Sequence, residues 1–324
     1  MDLSFWRNKR VIVTGADGFM GSHLAEKLVE AGSEVIAFVR GTSVVGTSRC
    51  QLRNITHLER SLEKIVAVDI ASPDTVALVV QCRPDIIFHL AAIAYVPYSF
   101  KHPMEVHHVN CTGTLNLLEG ARQLPGLYRL VVTSSSEVYG GTLTDRISEE
   151  HPLNPTSPYA ASKVAADRYA YSYFKTYDLP ISIIRPFNYY GPRHTYDVIP
   201  KFIDMVLAGQ APTIYGTGEQ SRDFTYVSDM VNAFLLMGSH PKAVGETVNF
   251  GTGKDFTVKY IAETIIKIFN SDLMPVYVEK RAAEVDRLCC DARKAFQLFG
   301  WQPAITIEKG LELNVEYVKG LAGV

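Results

Sequence analysis

Val11-Ile12-Val13-Thr14 runs directly into Gly15-Ala16-Asp17-Gly18-Phe19-Met20-Gly21, and a helical pattern then continues to residue 31. A short apolar, β-branched run, three glycines spaced three apart and a helix form the context that a dinucleotide fingerprint requires. Glycines there let the backbone turn tightly and approach a pyrophosphate, whose charge meets the helix N-terminus. Three spaced glycines alone are weak evidence, and their place between a strand and a helix is what gives them meaning. The expected cofactor contacts are Gly15, Asp17, Gly18, Phe19, Met20 and Gly21.

The rhythm set by this opening continues. Strands are predicted over residues 34–39, 65–68, 85–90, 128–134 and 181–185, with helices over 103–124 and from Tyr159 to about 177. Strands alternating with helices imply an α/β fold, a Rossmann-type doubly wound parallel sheet, with ligands beyond the carboxyl ends of its strands. After Arg185-Pro186-Phe187-Asn188 the pattern changes. Short strands (213–215, 247–250, 275–278) mix with helices near 199–208, 228–238, 257–269 and 307–319. We therefore expect a dinucleotide-binding domain over 1–186 and a smaller α/β substrate-binding lobe over 187–324. No linker separates them, so some interleaving of chain and a shared cleft are expected.

Composition narrows the function. The 324 residues are 47% hydrophobic and 20% charged, with a net charge of -2, ordinary for a soluble globular chain. That charge gives no electrostatic case for nucleic acid or an anionic membrane as partner. No apolar run reaches the length of a membrane span and the N-terminus lacks a signal-peptide core, which points to the cytoplasm. Five cysteines without C-x-x-C spacing read as inert thiols in a reducing compartment, Cys289-Cys290 alternating faces on a strand, and no metal site is expected.

The second strand bears on the cofactor's 2′ position. NAD-specific folds usually end it with an acid that accepts from the ribose hydroxyls. Here it ends Phe38-Val39-Arg40-Gly41-Thr42-Ser43. Arg40 can pair with a 2′-phosphate and Ser43 can add a hydrogen bond, so NADP is favoured, with NAD as the alternative. Asp69 and Ile70 are placed to flank the adenine, although Asp69 can equally cap the next helix.

Tyr159 and Lys163 point to the chemistry. Four residues apart on a helix, they share one face. A fixed positive charge favours phenolate, and a phenol so tuned can take a proton from a sugar hydroxyl while a hydride leaves the carbon beneath it. Such a pair alone is more often an exposed Tyr and Lys. The glycine loop before it and the Ser134-Ser135-Ser136-Glu137 segment between them decide for catalysis.

With Thr14 to Gly21, His89-Leu90-Ala91-Ala92, Asn110 and Tyr159-x-x-x-Lys163, the chain resembles the extended short-chain dehydrogenase/reductase superfamily, and within it the nucleotide-sugar epimerases and dehydratases. Arg185 to Pro192 and Arg222 to Val227 resemble that family's second-lobe motifs. The resemblance implies a tightly held NAD(P) regenerated in each cycle, a nucleoside-diphosphate-sugar substrate and a homodimer. By family position, Leu90, Ala91, Ala92 and Asn110 join the cofactor contacts, with Tyr159 and Lys163. Ser135, Asn188, Arg222, Arg281 and Glu284 are candidates for substrate, while His89 is expected to be structural.

Ser135 is expected to share the reacting hydroxyl with Tyr159. Family 4-epimerases resemble one another in small, non-acidic residues at the position of Glu137, because they only move a hydride off C4 and back. A 4,6-dehydratase also needs a base for the C5 proton, and Glu137 is the candidate, so Ser135, Ser136, Glu137, Tyr159 and Lys163 form the expected catalytic set. Ser135-Ser136-Glu137 resembles the Thr-Ser-Glu of guanosine-diphosphate-mannose dehydratases, as Arg281 to Leu288 resembles their Arg-Pro-x-Glu-Val-Asp. Uronate decarboxylases share the same Ser-Glu. A 4,6-dehydratase is the expected activity, with a 4-epimerase or uronate decarboxylase as the alternative.

Overall fold

A computed structural model describes residues 2–40, 52–280 and 285–323. By their contacts they fall into two compact units. The first comprises Met1–Val138, Ser157–Arg185 and Val231–Val248, and the second Tyr139–Thr156, Pro186–Met230 and Asn249–Val324.

The first unit is organised around one sheet. Its elements are β1 (Arg10–Thr14), α1 (Phe19–Glu30), β2 (Glu34–Val39), β3 (Lys64–Ala67), α2 (Asp74–Cys82), β4 (Ile86–His89), α3 (Val96–Lys101), α4 (Pro103–His107), α5 (Gly113–Arg122), β5 (Arg129–Thr133), α6 (Pro158–Tyr177), β6 (Ile181–Pro186), α7 (Val227–Ser239) and β7 (Thr247–Phe250). The strand order is β7-β6-β5-β4-β1-β2-β3, and β1 through β6 pair in parallel. The order reverses direction beside β1, where β4 takes the other flank. That switch point is where such sheets open for a ligand.

The strands are β-branched, apolar runs because both faces of a parallel sheet are covered. Every residue of β5 and of β6 is buried. Ile12, Ile36, Phe38, Ile87, Leu130 and Val132 meet Val79, Leu117, Leu118 and Ala121 from the helices in one core. Gly113 shows how close α5 comes: a Cβ there would lie 2.6 Å from Ile70 Cγ2.

Two elements differ from the sequence expectation. The helix expected over 103–124 is divided by a π-helical turn, His108–Thr112, between α4 and α5. Helix α2, expected only as an element that Asp69 could cap, was given no bounds, since Asp74-Thr75-Val76-Ala77-Leu78-Val79-Val80 is rich in β-branched residues and has strand character taken alone; its N-cap is Pro73, not Asp69. Its buried Thr75, Val79 and Cys82 follow helical spacing.

Helix α6 is fixed at both ends of its buried face. Ser157 caps it, accepting from the Ala160 amide at 3.1 Å, and Pro158 occupies the first turn. Tyr159, Lys163, Ala166, Asp167 and Ala170 form the buried stripe. The Asp167 carboxylate, wholly buried, takes Arg185 Nε at 2.8 Å and Nη2 at 3.1 Å, and Arg168 also donates to it. Burial alone would raise the Asp167 pKa, but the two arginines outweigh it and hold the carboxyl below its ordinary value.

In the second unit, Thr225–Tyr226 pairs with Tyr189–Tyr190 and Val276–Val278 with Thr213–Tyr215, while Ser221–Arg222 lies between Phe256–Thr257 and Arg287–Leu288. Helices Val198–Leu207, Val258–Ile268 and Ile307–Ala322 bury Phe202, Ile203, Ile261, Ile265, Leu311 and Val315. The strand here ends at Leu288, so Cys289 and Cys290 do not alternate between an inner and an outer face; both are buried.

Replacing Asp167 by Ala would remove the buried carboxylate that Arg185 Nε and Nη2 reach. Breaking a buried pair in this way costs about 3–5 kcal/mol. Denaturant unfolding of Asp167→Ala against the parent chain should show a loss of that order, and an unchanged midpoint would mean that Arg185 finds another partner.

Candidate active site

The glycine loop is as tight as its sequence implies. Gly15 has φ +67°, in the left-handed region, and a Cβ on it would lie 3.0 Å from both the Cα and N of Ala91. A Cβ on Gly21 would lie 2.1 Å from the Gly15 carbonyl oxygen, so helix α1 can pack against the turn only without one. Gly18 is the N-cap of α1, exposed and without a side chain over the first amides. That end of α1 is a cradle a phosphate can enter, and a dinucleotide fits it.

The other proposed cofactor contacts divide by role. Phe19 is half-buried and Met20 buried at the start of α1. The Asp17 carboxylate turns toward the chain that follows β2, accepting the amides of Arg53, Asn54 and Ile55 at 2.7–3.2 Å. It therefore organises a neighbouring loop. Asp69 is exposed and accepts the Ala71 amide at 3.0 Å, shaping the turn that leads to α2, and Ile70 is buried. Arg40 extends from the end of β2 into solvent, 3.7 Å from a Glu105 oxygen, while the other Glu105 oxygen accepts the Tyr98 hydroxyl at 2.6 Å. Ser43, Arg281 and Glu284 lie outside the described residues.

Beyond β4, Leu90, Ala91 and Ala92 are half-buried. Asn110 stands in the π-helical turn and is buried. Its side chain exchanges hydrogen bonds with the Ile93 backbone (2.8 and 3.2 Å) and donates to Ser162 Oγ at 2.9 Å. Ser162 in turn donates to the Tyr159 carbonyl at 2.7 Å. Asn110 thus ties the loop after β4 to the first turn of α6. Ser162 was not singled out from the sequence, although its place beside Lys163 was a usable signal.

The end of β5 carries the hydroxyl-rich segment. Thr133, Ser134, Ser135 and Ser136 are all buried. Lys163 Nζ donates to the Thr133 carbonyl at 2.5 Å. Ser135 Oγ accepts the Glu137 amide at 3.2 Å, which leaves its proton for donation. Glu137 is the second residue of a single 3₁₀ turn, Ser136–Tyr139, and is half-buried. Tyr159 is buried on the α6 face it shares with Lys163. One unit therefore holds all five expected catalytic residues, on two elements joined by the Lys163 hydrogen bond.

Two buried bases are shifted. Burial, opposed by the Asp167 and Cys111 charges, lowers the Lys163 pKa to about 8. Burial, reinforced by the charge of Lys163, lowers that of His89 to about 3. In the second unit, Asn188 Oδ1 is buried with no partner among the described residues, and Arg222 donates to the Ser221 carbonyl at 2.8 Å.

The sequence profile of the GDP-mannose 4,6 dehydratase family matches residues 12–313. The chain belongs to that family. A UDP-glucose 4-epimerase of Mycolicibacterium smegmatis is 35% identical over 96% of this chain and 98% of its own length. A UDP-glucuronic acid decarboxylase 1 of Xenopus tropicalis is 33% identical over 96% of this chain and 72% of its own. The structure of DesIV, a dTDP-glucose 4,6-dehydratase from Streptomyces venezuelae with NAD and TYD bound, superposes with a TM-score of 0.87. It is 28% identical and covers 97% of this chain and 98% of its own. This GDP-mannose 4,6 dehydratase family member is thus placed among NAD-dependent enzymes of nucleotide-sugar metabolism, with the fold those relatives have. Among its described residues no helix is long and apolar enough to cross a membrane.

Lys163 is protonated below about pH 8 and loses its charge above it. If that charge supports the Tyr159 phenolate, turnover at saturating substrate should fall as pH rises through about 8. Lys163→Met should lower the plateau and abolish this limb, whereas an alkaline limb that persists in the variant would assign it to another group.

Proposed function

We propose that this chain is a nucleotide-sugar 4,6-dehydratase, converting a nucleoside-diphosphate hexose to its 4-keto-6-deoxy form with loss of water. The observation that carries the reading is Glu137, an acid two residues beyond Ser135 where β5 leaves the sheet, in the unit that buries Tyr159 and Lys163 on one helix face. NAD(P), when bound at the glycine loop, supplies a hydride acceptor at C4 that is restored within the cycle.

The residues divide the remaining work. Ser135 donates to the C4 hydroxyl oxygen, and Tyr159, as phenolate beside Lys163, accepts its proton. With C4 a ketone, the C5 hydrogen is acidic, and Glu137 removes it and passes that proton to the hydroxide leaving C6, so that water departs. The hydride taken from C4 would then go to C6, while C5 regains a proton equivalent to the one Tyr159 received. By the family resemblance, Asn188 and Arg222 are proposed to hold the sugar and the diphosphate. A guanidinium matches phosphate oxygens bidentately. Arg281 and Glu284 keep the substrate roles that the family resemblance gives them.

A second reading, a 4-epimerase, is supported by the 35% identity to the Mycolicibacterium smegmatis enzyme along nearly the whole chain. It needs Tyr159 and Lys163 and leaves Glu137 without a task. Incubation with a panel of nucleotide hexoses and uronates separates the possibilities. A 4-keto-6-deoxy product is expected, inverted C4 configuration alone would establish the epimerase, and release of carbon dioxide would establish a decarboxylase. Glu137→Gln should slow dehydration about 100-fold or more while reduced nicotinamide accumulates; ordinary turnover in that variant would remove Glu137 from the mechanism.

For the cofactor we favour NADP, because β2 ends in Arg40 without an acid. Glu105, 3.7 Å from Arg40, competes for the same guanidinium. Titration of the cofactor-free chain should show tighter NADP than NAD binding, with Arg40→Ala erasing the difference. Tighter NAD binding by the parent chain would reverse the assignment.

A further inference from the structure

Beneath the glycine loop lies a network in which every proton has one place to go. Thr14 Oγ1 accepts the amides of Leu90 and Ala91, each at 3.1 Å, and lies 2.9 Å from His89 Nδ1. A threonine hydroxyl has two lone pairs and one proton. The two amides take both lone pairs, so the proton is donated to Nδ1. On the other ring edge, Nε2 lies 2.9 Å from Thr114 Oγ1, whose own proton goes to the Asn110 carbonyl at 2.6 Å. Nε2 therefore donates. The network assigns a neutral imidazole with its proton on Nε2.

This assignment reaches the cofactor loop. Thr14 immediately precedes Gly15, and the register pairs Thr14 with His89 across β1 and β4. The chain that Thr14 holds, Leu90-Ala91, is the surface against which Gly15 packs, with a Gly15 Cβ falling 3.0 Å from Ala91 and 3.3 Å from the Leu90 carbonyl carbon. Were Nδ1 to carry a proton, the Thr14 hydroxyl would have to accept from it and would release one amide. His89 is 3% exposed and the Lys163 charge also disfavours its protonation, so the accepting form persists through the neutral range.

We propose that His89 is a positioning residue for dinucleotide binding. By accepting the Thr14 proton at Nδ1 it commits both Thr14 lone pairs to the Leu90 and Ala91 amides, and so sets the floor on which Gly15 seats the pyrophosphate. This rests on the reading that the glycine loop binds NAD(P). A histidine that merely filled volume would be replaced as well by leucine as by asparagine, and would be energetically independent of Thr14.

The test is calorimetric titration of the full-length, cofactor-stripped chain with NAD and with NADP, alongside thermal unfolding without cofactor. His89→Leu should weaken binding of the preferred dinucleotide about tenfold or more, the scale of one lost buried hydrogen bond. His89→Asn, whose Oδ1 can accept where Nδ1 did, should stay within about threefold of the parent on the same scale. Thr14→Ser should bind like the parent and Thr14→Val like His89→Leu, and the Thr14→Val/His89→Leu double variant should be no weaker than either. Full binding by His89→Leu, equal losses in the Leu and Asn variants, or additive losses in the double variant would each overturn the proposal. Should His89→Leu not fold, Thr14→Val serves in its place, and its undiminished binding would be equally decisive. A parent chain that binds neither dinucleotide would instead remove the reading of the loop itself.

Discussion

The attachment of α6 to the sheet governs the candidate site. The helix carries Tyr159 and Lys163, and its buried face offers little apolar area, mostly alanine, to fix its rotation. Polar contacts do that work: Lys163 with the Thr133 carbonyl, Ser162 with Asn110, and Asp167 with Arg185. These contacts are directional, unlike apolar packing, so a rotation of the helix would break all three. The same lysine that anchors the helix is the one proposed to tune the phenol, so in that reading position and electrostatics are inseparable.

Burial affects the three ionisable groups differently. Asp167 keeps its charge because two arginines reach it, and Lys163 pays part of its affinity for a proton to a largely apolar setting. His89, between two threonines and disfavoured as a cation by burial and by the Lys163 charge, has no acidic partner among the described residues and remains neutral. An acid and a base one turn apart on α6 and an uncharged ring at the end of β4 thus each take the state that their neighbours can donate to or accept from.

Much of the first unit was legible in the sequence because parallel strands and an N-terminal glycine loop leave strong local marks. Residues 34–39 were read as a strand at the bounds observed, and Tyr159 was placed on a helix whose observed end is Tyr177. What escaped was decided by tertiary contact. Helix α2 has the residues of a strand but the burial spacing of a helix, and Asp17 turns out to serve a loop more than 35 residues onward. The partnership of Thr14 with His89 joins residues 75 apart in the chain, which no local periodicity encodes. Glu137 was visible as an acid just past the end of a predicted strand, and the structure places it in the turn that follows β5.

The π-helical turn between α4 and α5 has a consequence for the family's tolerance of length change. It accommodates one residue more than an α-helix would over the same rise. Removing a single residue from His108–Thr112 would let the helix run on regularly with α5 kept close to its present phase, so the change would fall on the turn itself. Leu117, Leu118 and Ala121 would keep facing the core, while Asn110, inside the turn, would lose its grip on Ile93. A deletion there would thus spare the layer that covers the sheet and release the loop after β4 from α6.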